Sequence, residues 1–309
     1  MKTSDTTPTQ RAICFGEVLY DYLPNGKFPG GAPMNVALHL HQHGIETRMI
    51  SSVGNDEEGV ELITYLNERS LPTYYIQRQK LYPTGKVYAD VSQPGNVTYK
   101  IVEPVAWDFI QHTDEVVRAV KGADLFLYGS LAARGEVSSD TLLHLLPHAQ
   151  LAVFDVNLRA PFYTPSLVEA LLQQAHMVKL NEEEFALLTH WFLKQPGDEQ
   201  AIPQLARLFK LQTVCLTHGA DGATLWHEGD VWRQPGFTVE VKDTIGSGDA
   251  FLGAFLSKWL QGAAPAECLR YGCAVGAFVA SREAATPVLD PEAIQALLRQ
   301  QTPHVSSRT

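Results

Sequence analysis

The segment Asp243-Thr-Ile-Gly-Ser-Gly-Asp249-Ala-Phe combines a carboxylate with two closely spaced glycines. Apolar residues follow at Phe251, Leu252, Phe255, Leu256, Trp259 and Leu260, which is helical spacing, so Gly246, Ser247 and Gly248 fall at a helix start. Free backbone N–H groups there face whatever lies above the helix, and its dipole favours negative charge such as a transferring phosphoryl group. Asp249 then stands where it could take a proton, or it could serve only as a cap. No Gly-Lys-Ser/Thr follows, so the run is not a Walker A loop.

Five other segments carry polar residues in chemically suggestive places. In Phe28-Pro-Gly30-Gly31-Ala-Pro-Met-Asn35, two glycines before a helix could form a floor of backbone amides and one side-chain amide for a polyhydroxylated ligand. Upstream, Gly16-Glu17-Val-Leu-Tyr-Asp21 closes an apolar strand with a carboxylate, and the ends of such strands border ligand crevices in open α/β sheets. Asp155-Val-Asn157-Leu-Arg159 also follows an apolar strand; its alternating polar residues point to the same crevice, where Arg159 could meet a phosphate oxygen or brace Asp155. Lys179-Leu-Asn181-Glu-Glu-Glu184 places an Asn and an acid three apart at a helix start, suited to holding magnesium through its waters or simply to complementing the dipole. Thr217-His-Gly219-Ala-Asp-Gly222 could admit an adenine or ribose close to the main chain, or make a tight hairpin turn. The alternating His39, His41 and His43 cannot share one helix face as metal ligands, and solvated side chains are expected there.

The elements that position these residues follow a regular pattern. Apolar runs at 12–20, 124–128 and 151–156 alternate with helical patterns at 34–43, 138–146 and 166–175, and strands recur at 177–180 and 213–217. This alternation predicts an α/β fold with a mostly parallel central sheet and helices on both faces. Two β-like runs at 86–91 and 97–102, joined by Ser-Gln-Pro-Gly-Asn, break it as a hairpin that could act as a lid or as edge decoration. A length of 309 residues with 45% hydrophobic content supports one large domain over 11–301, with polar tails at 1–10 and 302–309 expected to be flexible.

Charge and cysteine usage narrow the partners. A net charge of −10 disfavours binding to nucleic-acid backbones, which need clustered Lys and Arg. The four cysteines sit in apolar segments without a CxxC pair, as reduced core residues do, which suits the cytoplasm. A basic-then-apolar leader and an apolar run near 18 residues are both missing from the sequence, so neither export nor membrane insertion is expected.

Taken together, the order and spacing of these motifs resemble the ribokinase-like (PfkB-type) carbohydrate kinases over roughly 12–298. Asp243-Thr244 followed by Gly246-Ser247-Gly248-Asp249-Ala250-Phe251 is similar to that family's C-terminal signature, and Gly30-Gly31-Ala-Pro-Met-Asn35 to its N-terminal one. The resemblance implies an ATP-dependent sugar kinase with Asp249 as catalytic base and Gly246, Ser247 and Gly248 as the anion hole; Arg159, from its place after the strand, is expected as a further catalytic cation. It places Asp21, Gly31 and Asn35 at the sugar, where Gly30 and Asn157 are expected beside them from their own segments, and Asn181, Thr217, Gly219 and Gly222 at the nucleotide. Glu184 would reach magnesium through water, with MgATP as the cofactor, and 84–102 would belong to the family's β-sheet lid, through which two copies could pair. Within the family, the segments 16–24 and 155–159 are most similar to fructokinases, while 2-keto-3-deoxygluconate kinases share the Asp-x-Asn-x-Arg run. Other sugar or nucleoside kinases use the same scaffold, as would a sugar-responsive regulator, against which the intact Asp249 argues. The family's potassium site uses carbonyls near Asp243, Ile245 and 281–288; this chain reads Arg282-Glu-Ala-Ala where a glycine is common, which argues against potassium activation.

Overall fold

The computed structural model describes residues 9–93 and 96–300. Its strands are β1 (Arg11–Phe15), β2 (Leu19–Leu23), β3 (Gly26–Gly30), β4 (Glu46–Gly54), β5 (Ile76–Gln79), β6 (Gly85–Gln93), β7 (Asn96–Ile101), β8 (Leu125–Gly129), β9 (Ala152–Asp155), β10 (Met177–Asn181), β11 (Thr213–Thr217), β12 (Gly222–His227) and β13 (Asp230–Pro235). The helices are α1 (Ala32–Gln42), α2 (Glu57–Glu68), α3 (Asp114–Lys121), α4 (Glu136–Leu145), α5 (Pro165–Leu172), α6 (Glu182–Leu193), α7 (Ile202–Phe209), α8 (Ser247–Leu260), α9 (Pro265–Ala280) and α10 (Pro291–Gln300). The tails expected at 1–10 and 302–309 lie, apart from residues 9 and 10, outside the described residues.

A nine-stranded sheet in the order β13-β12-β11-β10-β9-β8-β1-β4-β5 carries the fold. It is parallel from β5 to β11; at the other edge β12 pairs antiparallel with β11, and β13 antiparallel with β12. Strands such as Leu125–Gly129 and Ala152–Asp155 are buried throughout because helices cover both faces, which is why their apolar runs are nearly unbroken. One core packs α1, α8 and α9 against one face; the other packs α3 to α7 against the opposite face. This is the mostly parallel α/β arrangement expected from the alternation of runs.

Register decides which residues meet at the C-terminal edge of the sheet. Asp155 pairs with Lys179 across β9 and β10, and Asn181 pairs with Thr217 across β10 and β11. Loops that follow these strands therefore open on one crevice.

The run 12–20 is not one strand, contrary to expectation. It breaks at Gly16, whose φ of 145° suits glycine, and a Cβ there would lie 2.7 Å from Pro33 Cγ. The chain turns out of the large sheet and enters a separate four-stranded sheet in the order β3-β2-β6-β7. The hairpin expected at 84–102 is thus half of a larger sheet, with its connecting residues 94 and 95 outside the described residues. Asp21 consequently lies within β2, opposite Phe28, and not at the end of a strand of the main sheet.

Candidate active site

α8 begins without a side-chain cap: Gly246 occupies the N-cap position with φ 76°, a left-handed conformation that favours glycine. The space beside it is filled, since a Cβ would lie 2.5 Å from Ala285 Cβ. The Ser247 N–H and hydroxyl both donate to Thr244 O, at 3.2 and 2.8 Å, and the first N–H of the helix ladder is Ala250 to Gly246 O at 2.8 Å. Among the described residues the N–H groups of Gly246, Gly248 and Asp249 have no hydrogen-bond partner, which leaves open donors at the mouth of the helix.

Asp249 occupies the third helical position and accepts from Asn35 Nδ2 at 2.9 Å. Asn35 is placed by α1, whose start is fixed by the Asn35 N–H to Gly31 O bond of 2.9 Å. The two glycines before α1 are both required by neighbouring carboxylate-bearing residues. A Cβ on Gly30 would lie 2.1 Å from Asp21 Oδ2, and one on Gly31, where φ is 115°, would lie 2.4 Å from Glu17 O. Asp21, Gly30, Gly31, Asn35 and Asp249 are thereby brought together from β2, the start of α1 and the start of α8.

Asp155 does not brace Arg159, the alternative considered for it. Its Oδ1 accepts from Lys179 Nζ at 3.0 Å, as the β9–β10 register dictates, while Arg159 is exposed and donates from Nη1 to Leu158 O at 3.3 Å. Lys179 was missed as a candidate. A Cβ on Gly248 would stand 3.6 Å from its Nζ, so this ammonium lies beside the open mouth of α8. A lysine amid the apolar residues of Met177–Leu180 was the available signal, because a charge in a buried strand needs a partner. Glu17 was also missed: it is 3% exposed and stands between two apolar runs.

Electrostatics separate these groups from ordinary surface acids. Burial pushes the Asp249 carboxyl up to about 6, with Asp155 adding to the rise and Asn35, Lys179 and Arg159 opposing it. Burial likewise raises Asp21 to about 6 and Glu17 to about 7, in both cases against Arg159 and with Asp249. Burial alone would lower Lys179, but the charges of Asp155, Glu184 and Asp249 outweigh it and hold its pKa above the usual lysine value.

Other expected residues hold the crevice walls. Asn181 caps α6 by accepting from Glu184 N, and Glu184 accepts from Asn181 N and Leu158 N, all at 2.9 Å. Glu184 therefore ties the 156–162 loop, with Asn157 at φ 38°, to the start of α6. Thr217 Oγ1 donates to Leu180 O at 3.3 Å. Gly219, with φ 58°, faces open space, whereas Gly222 is required by packing, since a Cβ would lie 2.0 Å from Gln234 O. The expectation of solvated histidines fails at His39, which is fully buried with Nε2 3.1 Å from Ala285 O; burial lowers its pKa to about 4.

The chain as a whole resembles known proteins. Residues 10–292 match the model of the pfkB family carbohydrate kinases. A fructokinase of Solanum tuberosum is 28% identical over 304 residues, covering 91% of this chain and 92% of that protein. A 2-dehydro-3-deoxygalactonokinase of Haloferax volcanii is 28% identical over 293 residues, covering 87% of each. Among solved structures, a fructokinase from Xylella fastidiosa with bound ATP superposes with a TM-score of 0.83 at 22% identity, over 94% of this chain and 98% of that one. A fructokinase from Vibrio cholerae with fructose, ADP and calcium bound gives 0.81 at 23% identity, over 94% and 99%.

Proposed function

We propose that this chain, which belongs to the pfkB family of carbohydrate kinases, transfers the γ-phosphoryl group of MgATP to D-fructose to give fructose 6-phosphate. Membership makes it a phosphotransferase with an alcohol group as acceptor. The observation that carries the mechanism is Asp249, held 2.9 Å from Asn35 at the third position of a helix that has no side-chain cap.

Phosphoryl transfer needs alignment, charge stabilisation and a base more than covalent chemistry. With a sugar hydroxyl between Asp249 and the γ-phosphoryl group, the carboxylate takes the proton as the oxygen attacks. Negative charge on the transferring group is met by the open N–H groups of α8 and by Lys179 beside Gly248, with Arg159 adding positive charge from the rim. Asp21, Asn35 and the glycine floor hold the sugar, and Thr217 with the open space at Gly219 holds the nucleotide.

Magnesium arrives with ATP as part of the substrate. Glu184 is 5% exposed and both its oxygens accept backbone N–H groups, so it would reach the ion only through hydration water.

A sugar acid is the second reading, favoured by the Haloferax relative and by the exposed Arg159. A coupled assay with ATP and fructose, ribose, 2-keto-3-deoxygluconate, tagatose 6-phosphate or adenosine separates the two. The highest kcat/KM is expected for fructose, and a higher value for any other acceptor would overturn the assignment.

A further inference from the structure

Hydrogen-bond acceptors dominate the floor of the proposed sugar site. Asp21 Oδ2 lies against Gly30, Glu17 Cγ is 3.3 Å from where a Cβ would stand on Gly31, and Asn35 one turn on holds Asp249. Three carboxylates thus converge on the stretch from Gly30 to Asn35. Among the described residues, Glu17 Oε2, Asn35 Oδ1 and Asp155 Oδ2 are buried oxygens without a partner. Lys179 is committed to Asp155, which leaves the exposed Arg159 as the cation whose field reaches Glu17, Asp21 and Asp249 together.

Buried acceptors without donors are costly, and a ligand rich in hydroxyls supplies the donors. A carboxylate or phosphate supplies none at neutral pH and adds a like charge to the three already present. Resting on the reading of this floor as the sugar site, we propose that the acceptor pocket selects uncharged polyhydroxy compounds over anionic ones, with Glu17 as a specificity-determining residue. Asp21 and Asp249 have roles in the proposed reaction already; Glu17 has none except to shape what the floor accepts. Burial raises Glu17 to about 7, and the ionised Asp249 adds to that rise, so the discrimination is fully developed near pH 8, where all three acids are charged.

The test is kcat/KM at pH 8 for two matched pairs, fructose against 2-keto-3-deoxygluconate and tagatose against tagatose 6-phosphate, in the wild type, Glu17→Gln and Asp21→Asn. The wild type is expected to favour the neutral member of each pair by at least about tenfold, the scale of a like-charge contact. Glu17→Gln, nearly isosteric but uncharged, should narrow both ratios by about tenfold, chiefly through a lower KM for the anion. Asp21→Asn should narrow them in the same direction, which keeps the test decisive if Glu17→Gln does not fold. A wild type that uses the anions as well as the neutral sugars overturns the inference, as does a folded Glu17→Gln with unchanged ratios. If fructose is inert while tagatose is phosphorylated and both anions are rejected, the selectivity stands and the fructose assignment falls.

Discussion

Two helices start at the rim of the same crevice, each with an acid at its third position, and the two acids have opposite surroundings. In α6, Asn181 caps the helix and Glu184 returns the bond, while its second oxygen holds Leu158 N; the helix start is closed on itself. In α8, Gly246 brings no side chain to the cap, and Asp249 bonds to Asn35 from another helix. One helix start is finished by its own residues and braces a loop. The other leaves N–H groups and a carboxylate facing the crevice, where a ligand can complete them. The same helix position thus serves stability in one place and chemistry in the other, according to whether the capping residue has a side chain.

The contrast can be broken most forcefully at Asp249. Asp249→Asn keeps the shape and the bond to Asn35 but removes the base, so kcat should fall by ~10² to 10⁴. ATP affinity and melting temperature should stay close to the wild type, since the helix mouth is unchanged. A variant that loses activity only by unfolding would make Asp249 a structural residue like Glu184.

Lys179→Met tests whether the open helix mouth depends on its neighbouring cation. It leaves Asp155 buried without its partner, so a stability loss of ~3–5 kcal/mol is expected in chemical denaturation. A stable, fully active Lys179→Met would remove this ammonium from the account.

Smaller effects are expected at the closed helix start. Glu184→Ala frees two backbone N–H groups and should cost ~1–3 kcal/mol in stability. Asn181→Ala removes the cap and should cost ~1 kcal/mol. Both should change melting temperature in greater proportion than kcat, the reverse of Asp249→Asn. A kcat loss at Glu184→Ala as large as that at Asp249→Asn, with stability unchanged, would erase the distinction between the two helix starts.

Local signals in the sequence were enough for the start of α8, because a glycine-rich turn before helical spacing is a feature of one segment. The alternation of apolar runs likewise carried the parallel sheet and its two helical layers. The break at Gly16 was hidden, since β1 and β2 are both apolar and the change of sheet occurs over only Gly16, Glu17 and Val18. Lys179 and Asp155 meet because of strand register, which is a relation between segments 24 residues apart that neither segment states. The closed start of α6 was legible in principle: Asn-x-x-Glu is also the spacing of a reciprocal cap, a role that went unread beside the water-mediated magnesium contact and the helix dipole. Gly30 and Gly31 were read as a floor for a ligand; the groups that lie against them in the structure are Asp21 and Glu17, brought in by a sheet that local pattern did not reveal.

The pH dependence of kcat, measured in parallel for the wild type and Asp249→Asn, tests the central claim most directly. A base works only when ionised, and burial lifts Asp249 to about 6, so wild-type log kcat should rise with unit slope up to about pH 6 and level off above it. In Asp249→Asn the residual rate should lose that inflection. A wild-type profile that is flat from pH 5 to 8, or the same inflection retained in the variant, would contradict the assignment of Asp249 as the base.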